Sequence, residues 1–230
     1  MPSHQLENIT WGISEKQDGQ MKFVGRELES LATRKKYFES INVDPAQVVI
    51  AGLVHGQEIK VVTGDDRGKF LPETDGLLTN APDVFLSVTA ADCLPIYFID
   101  SKHHAIGLAH AGWKGVLNEM AGQMVQAMHS FFGTEPVNLE VYIGPHIQHY
   151  KVLKNRADLF TSFPSYVTQM GDEYQLDLSG IVKLQLANLG VTRVRISPEC
   201  THCETEKYFS YQRDKPEEIQ AMVAYIGIKL

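Results

Sequence analysis

The sequence predicts an α+β fold with about nine strands and three or four helices. Three observations carry that expectation. Short apolar runs rich in β-branched and aromatic residues recur, most clearly at residues 85–88, 94–99 and 105–109. Longer stretches with helical spacing are few. The two kinds do not alternate regularly, so a doubly wound sheet is not favoured. No repeat, linker or low-complexity segment divides the 230 residues, which read as one domain, 1–230.

The elements follow in order. Residues 11–22 carry Glu15, Gln17, Asp18 and Gly19 and read as a loop or hairpin. Residues 25–41 place Leu28, Leu31, Tyr37, Phe38 and Ile41 at helical spacing, with Asn42 as the stop. Arg34, Lys35 and Lys36 in that helix read as a solvated face. A strand at 48–50 leads to the loop holding His55, and another at 59–63 precedes a turn at 64–68. Asp65 and Asp66 in that turn lack the ligand run and closing Glu of a calcium loop. Residues 74–79 lead into the three central strands.

The longest helix spans 115–132, with Val116, Met120, Met124, Ala127, Met128 and Phe131 on one stripe and Gly133 closing it. A strand at 139–143 follows, then His146 and His149, which read as surface histidines. Residues 155–163 read as helix, 174–178 as strand, 180–189 as a helix capped by Ser179, and 191–197 as strand. The chain closes on a strand at 222–228.

Chemistry gathers at strand ends, where rigid scaffold meets solvent. Cys93 and His110 flank two of the central strands, and His55 follows the strand at 48–50. Their separation is too wide for a local zinc finger. Three such ligands with water in the fourth position is the pattern of catalytic zinc. Cys93 with His110 also suits a nucleophile and its base. Asp92 reads either as a base or His-orienting group, or as the residue that holds the Cys93 turn. Lys114 and Arg213 are candidate anion contacts or exposed charges. The glycines around Trp113 and Lys114 sit where a helix start could offer N–H groups to an anion. Cys200 and Cys203 form a C-x-x-C with no second pair, read as ordinary thiols or, for Cys200, as part of the pocket wall.

Composition narrows the partners. Net charge is −7 and the longest basic cluster is Arg34-Lys35-Lys36, so nucleic acid is not an expected partner. No apolar run approaches the roughly 20 residues that span a bilayer, so neither is a membrane. The first residues lack the charged-then-apolar pattern of a secretory signal. Three cysteines argue against a disulfide framework, and the cytoplasm is the expected compartment.

Five motifs occur in order: Val54-His55-Gly56, Thr74-Asp75-Gly76-Leu77-Leu78-Thr79, Ala91-Asp92-Cys93-Leu94-Pro95, His110-Ala111-Gly112-Trp113-Lys114-Gly115 and Ile143-Gly144-Pro145. Cys200-Thr201 and the stretch Tyr208-Phe209-Ser210-Tyr211-Gln212-Arg213-Asp214 complete the series. In these the chain resembles the YfiH-like family, also called the laccase-domain or multicopper polyphenol oxidase family. The resemblance implies a layered α/β/β/α arrangement with mixed sheets. It implies that His55, Cys93 and His110 carry a metal, zinc or else copper. It also implies purine nucleoside chemistry: phosphorolysis of adenosine, inosine or methylthioadenosine, and adenosine deamination. A nucleoside and phosphate are then the partners. The alternatives are a copper-dependent polyphenol oxidase, a cysteine hydrolase acting on peptidoglycan precursors, and a non-catalytic metal-binding protein. Lys16, Gln212 and Gln220 stand where the family has arginine, which predicts weakened phosphate capture.

Overall fold

The computed structural model describes residues 4–6, 8–22 and 28–229. The chain opens with β1 (His4–Leu6) and β2 (Ile9–Ile13), then α1 (Leu28–Ser40). β3 (Val48–Gly52), β4 (Ile59–Val61), β5 (Phe70–Pro72) and β6 (Gly76–Thr79) follow. The central strands are β7 (Phe85–Ala90), β8 (Leu94–Asp100) and β9 (Ala105–Ala111). Next come α2 (Trp113–Leu117), α3 (Met120–Phe132), β10 (Glu140–Ile143), β11 (Tyr150–Val152) and α4 (Lys154–Ala157). β12 (Val167–Met170), β13 (Glu173–Leu176), α5 (Leu178–Asn188), β14 (Arg193–Ile196), α6 (Tyr211–Asp214) and β15 (Met222–Ile228) complete it.

Two six-stranded sheets form the body, in the orders β1-β2-β15-β7-β3-β5 and β14-β10-β8-β9-β6-β4, and β11-β13-β12 make a small third sheet. Both large sheets are mixed: β3 runs parallel to β5 and β7, while β15 runs antiparallel to β2 and β7. In the second, β10 is parallel to β14 and antiparallel to β8.

Side-chain alternation builds the layers. Along β8, Leu94, Ile96 and Phe98 pack with α3 and α5, while Tyr97 and Ile99 point to the other sheet. Along β15, Met222, Ala224 and Ile226 face the second sheet, while Val223 and Tyr225 meet Tyr37 and Phe38 of α1. Strands covered on both faces read as unbroken apolar runs, which is why these were visible in the sequence. The result is α1, sheet, sheet, then α3 with α5: the α/β/β/α layering, with two mixed sheets.

Several local expectations are corrected. Trp11 belongs to β2, not to a loop. The start expected for the first helix, at residue 25, lies outside the described residues. Arg34 is not on a solvated face: it is 3% exposed and donates to the Met21 carbonyl (3.0 Å) and the Ser87 hydroxyl (2.9 Å). The long helix is two, because Glu119 adopts a left-handed φ of 58° between α2 and α3. Gln185 donates to the Val116 carbonyl (2.9 Å), which also accepts from the Glu119 N–H (3.1 Å) at that break. Phe131, placed on the buried stripe, is 65% exposed. Asp177, not Ser179, caps α5 by accepting from the Gly180 N–H. His146 is buried, with Nδ1 2.8 Å from the Gly144 carbonyl, whereas His149 is exposed as expected.

Candidate metal centre

The loop after β3, the β7–β8 connection and the end of β9 meet at one edge of the space between the sheets. His110 follows Ile106 and Leu108 on the inter-sheet face of β9, by the two-residue period of a strand. Cys93 comes from the connection, after Asp92 at a φ of 86°. His55 comes from the loop, itself at a φ of 56°. The ligand atoms of His55, Cys93 and His110 all lie within 4.8 Å of one another, and they form the one such group among the described residues.

The surroundings prepare each donor. His110 Nδ1 lies 2.8 Å from the Thr89 carbonyl, so Nδ1 carries the proton and Nε2 keeps its lone pair. That Nε2 faces His55 Nδ1 at 3.1 Å. Burial, then the neighbouring His55, lower the His110 pKa to about 3 against the opposing pull of the Thr89 carbonyl, so the ring is neutral, as a ligand must be. Burial, then Asp92 and Asp75, push the Cys93 thiol up to about 12. A metal-free nucleophilic cysteine shows the reverse shift. Gly112 closes the back of the site: a Cβ there would stand 2.9 Å from Cys93 Sγ and 3.5 Å from His55 Nδ1. Only glycine lets the chain approach this closely.

Asp75 was not singled out from the sequence, although it lies within the Thr74–Thr79 motif. Its buried carboxylate accepts from the backbone N–H of His55 (2.9 Å) and of Gly56 (2.8 Å), and its carbonyl accepts from the His110 N–H (2.8 Å). One residue thus ties together the backbones that carry both histidines. Asp92 does related work. Its two oxygens accept from the Thr201 hydroxyl (2.8 Å) and the Gln212 N–H (2.6 Å), anchoring the Cys93 turn to the late segment.

The three donors line a cavity of about 530 Å³, within the range of small-molecule sites. Ile50, Leu53, Trp113, Tyr150, Tyr211 and Ile219 supply apolar and aromatic wall, and Lys114 lines it too. Arg213 and Cys200 are not among the lining residues. Arg213 spends its guanidinium on the Thr201, His202 and Tyr208 carbonyls and on Asp214, which corrects its reading as an anion contact. Cys200 is buried beside His146, and its partner Cys203 is exposed. The three positions lacking a family arginine do not line the cavity either. Lys16 reaches the Thr205 carbonyl, Gln212 pairs both its amide atoms with the Lys151 backbone, and Gln220 is exposed.

Residues 24–229 match the sequence model of a family described as multi-copper polyphenol oxidoreductase laccase. The chain belongs to this family. Among its relatives, purine nucleoside phosphorylase YlmD of Geobacillus stearothermophilus is 36% identical over 192 residues, covering 76% of this chain and 69% of that protein. Purine nucleoside phosphorylase YfiH of Escherichia coli K12 is 31% identical over 188 residues, covering 79% and 74%. The crystal structure of YlmD from Geobacillus stearothermophilus superposes with a TM-score of 0.90 at 30% identity, covering 97% of this chain and 93% of that one. Among the described residues the His-Cys-His group is the cluster that could hold a metal ion. Among the described residues no helix is long and apolar enough to cross a membrane.

Proposed function

We propose that this protein is a zinc-dependent purine nucleoside enzyme. It cleaves adenosine, inosine or methylthioadenosine with phosphate, or removes the amino group of adenosine. The observation that carries this reading is the convergence of His55, Cys93 and His110 within 4.8 Å at the wall of a cavity of about 530 Å³. The names of the relatives support the substrate class.

Two neutral imidazoles and a thiolate with an open position suit zinc. Bound there, zinc supplies Lewis acidity, polarising a substrate oxygen or lowering the pKa of a water toward about 7. The chain does the rest. The Thr89 carbonyl holds the His110 tautomer, and Asp75 fixes both histidine-bearing segments. Asp92 positions the Cys93 turn, both its oxygens being engaged. The apolar wall excludes water and receives the flat base. In phosphorolysis the bond from sugar carbon to base nitrogen breaks, a phosphate oxygen bonds to that carbon, and the leaving base takes a proton.

The family description favours a second reading, a copper oxidase. Blue-copper sites pair a His₂Cys set with a weak axial methionine. Among the described residues no methionine lines this cavity, and no further ligand cluster accompanies the first. Oxidase chemistry therefore ranks below nucleoside chemistry.

Metal analysis of the purified chain tests the proposal, with about one zinc per chain as the expected result. Cys93→Ser removes most of it, because a hydroxyl is a far poorer zinc ligand than a thiolate, and nucleoside turnover falls with it. Turnover that survives a chelator but not a thiol alkylator assigns the site to a cysteine hydrolase instead. Zinc unchanged in the variant rejects the ligand set.

A further inference from the structure

The two arginines near the late segment and the cavity mouth are used very differently. Arg213 has all five N–H donors turned to protein acceptors. Arg156 on α4 lies with its guanidinium carbon 4.7 Å from the centroid of the Trp113 ring. Its guanidinium makes a single hydrogen bond among the described residues, from Nη1 to the Tyr150 hydroxyl at 3.3 Å. Four of its donors are therefore unspent. Lys114 places its ammonium 5.7 Å from the same indole ring. Among the described residues no carboxylate pairs with Arg156 or Lys114.

Lys114 lines the cavity, and Arg156, itself outside the lining, touches two residues that do: it stacks on Trp113 and bonds the Tyr150 hydroxyl. Tyr150 links the arginine to the cavity: its hydroxyl accepts from Arg156 Nη1 at 3.3 Å, and it shares the lining with Cys93 and His110. The carboxylates closest to the metal ligands have partners of their own, Asp75 with backbone N–H groups and Asp92 with Thr201 and Gln212. An otherwise acidic chain, with a net charge of −7, thus presents an unpaired planar cation at the edge of its cavity.

We propose that Arg156, stacked on Trp113 and assisted by Lys114 and the Tyr150 hydroxyl, forms an oxyanion subsite that takes inorganic phosphate. A guanidinium held flat by an aromatic face keeps its fork free for two phosphate oxygens. This subsite supplies from α4 the arginine that Lys16, Gln212 and Gln220 do not provide, and it reverses the expectation of weak phosphate capture. Its use in turnover rests on the phosphorolytic reading above; the binding itself does not.

The test is a titration of the zinc-loaded full chain with inorganic phosphate, read by tryptophan fluorescence and by calorimetry. The chain has two tryptophans, and the other, Trp11, is buried between the sheets. Wild-type protein is expected to show saturable binding. Arg156→Gln shifts the midpoint at least tenfold, and Arg156→Lys, which keeps the charge but loses the fork, falls between. The phosphate KM shifts in parallel, while nucleoside KM, zinc content and thermal midpoint stay near wild type. A nucleoside 5′-monophosphate titrated separately binds more weakly than the free ion; tighter binding of the ester overturns the assignment to inorganic phosphate. Absence of saturable phosphate binding by both methods, or an unchanged midpoint in Arg156→Gln, overturns the subsite. Arginine-dependent binding with phosphate-independent turnover keeps the subsite and rejects phosphorolysis.

Discussion

His110 shows how much a single position can carry. Its N–H is held by Asp75, its Nδ1 by Thr89, and its Nε2 faces His55. It was legible in the sequence, with Cys93 and His55, because each closes an apolar run with a chemically distinct side chain. Asp75 was not, because a buried carboxylate spent on backbone N–H groups looks in sequence like any turn aspartate. Arg156 was not, because its significance lies in a ring 43 residues away in the chain, at Trp113. His146 was misread as a surface residue, since the carbonyl that accepts it two residues earlier leaves no sequence trace. The late cysteines give a prediction at this scale. His202 is half-buried and Cys203 exposed, and neither lines the cavity. Replacing both by alanine leaves zinc stoichiometry intact by metal analysis; loss of the zinc moves the C-x-x-C into the metal site.

At the scale of elements, strands buried on both faces were read closely. β8, β9 and β15 were found within two residues of their ends, and β15 at its bounds. The strands missed, β1, β2, β5, β6, β11 and β12, have three to five residues each, too few to show a period. The helix break at Glu119 was hidden because Val116 and Met120 keep helical spacing across it and both stay buried. The turn joining β8 to β9 supports a stability prediction. Asp100 accepts from the Lys102 and His103 N–H groups and from the His103 ring. Burial alone raises its pKa, but the hydrogen bonds from its neighbours outweigh burial and the net shift is downward. A depressed carboxylate stabilises the fold above its unfolded pKa of about 3.9, and that contribution is lost as pH falls through the folded value. Asp100→Asn therefore costs about 1–3 kcal/mol near neutral pH. The difference from wild type shrinks below about pH 4. Urea unfolding at both pH values reads it; a gap that widens on acidification contradicts the assignment.

Over the whole molecule, the layering follows from two sheets that each need cover on both faces. They share one core between them and take α1 on one side and α3 with α5 on the other. The sequence pattern alone yielded α+β, since register and sheet membership depend on pairings between distant segments. β15, for example, pairs with both β2 and β7. The arrangement leaves one edge of the inter-sheet space open, and the ends of β3, β7 and β9 bring the candidate metal ligands and the cavity there. The candidate metal ligands and the cavity wall are thus contributed by segments from residue 22 to residue 221, so the site depends on the whole fold.

The most direct test of this account is adenosine conversion by chain of known zinc content, with and without phosphate, followed by product separation. The account predicts a rate proportional to bound zinc. With phosphate the products are free adenine and ribose phosphate, and the response to phosphate saturates. Any phosphate-independent inosine marks the deaminase branch of the same centre. Conversion that persists after the zinc is removed, or zinc-replete protein that leaves adenosine, inosine and methylthioadenosine untouched, contradicts it.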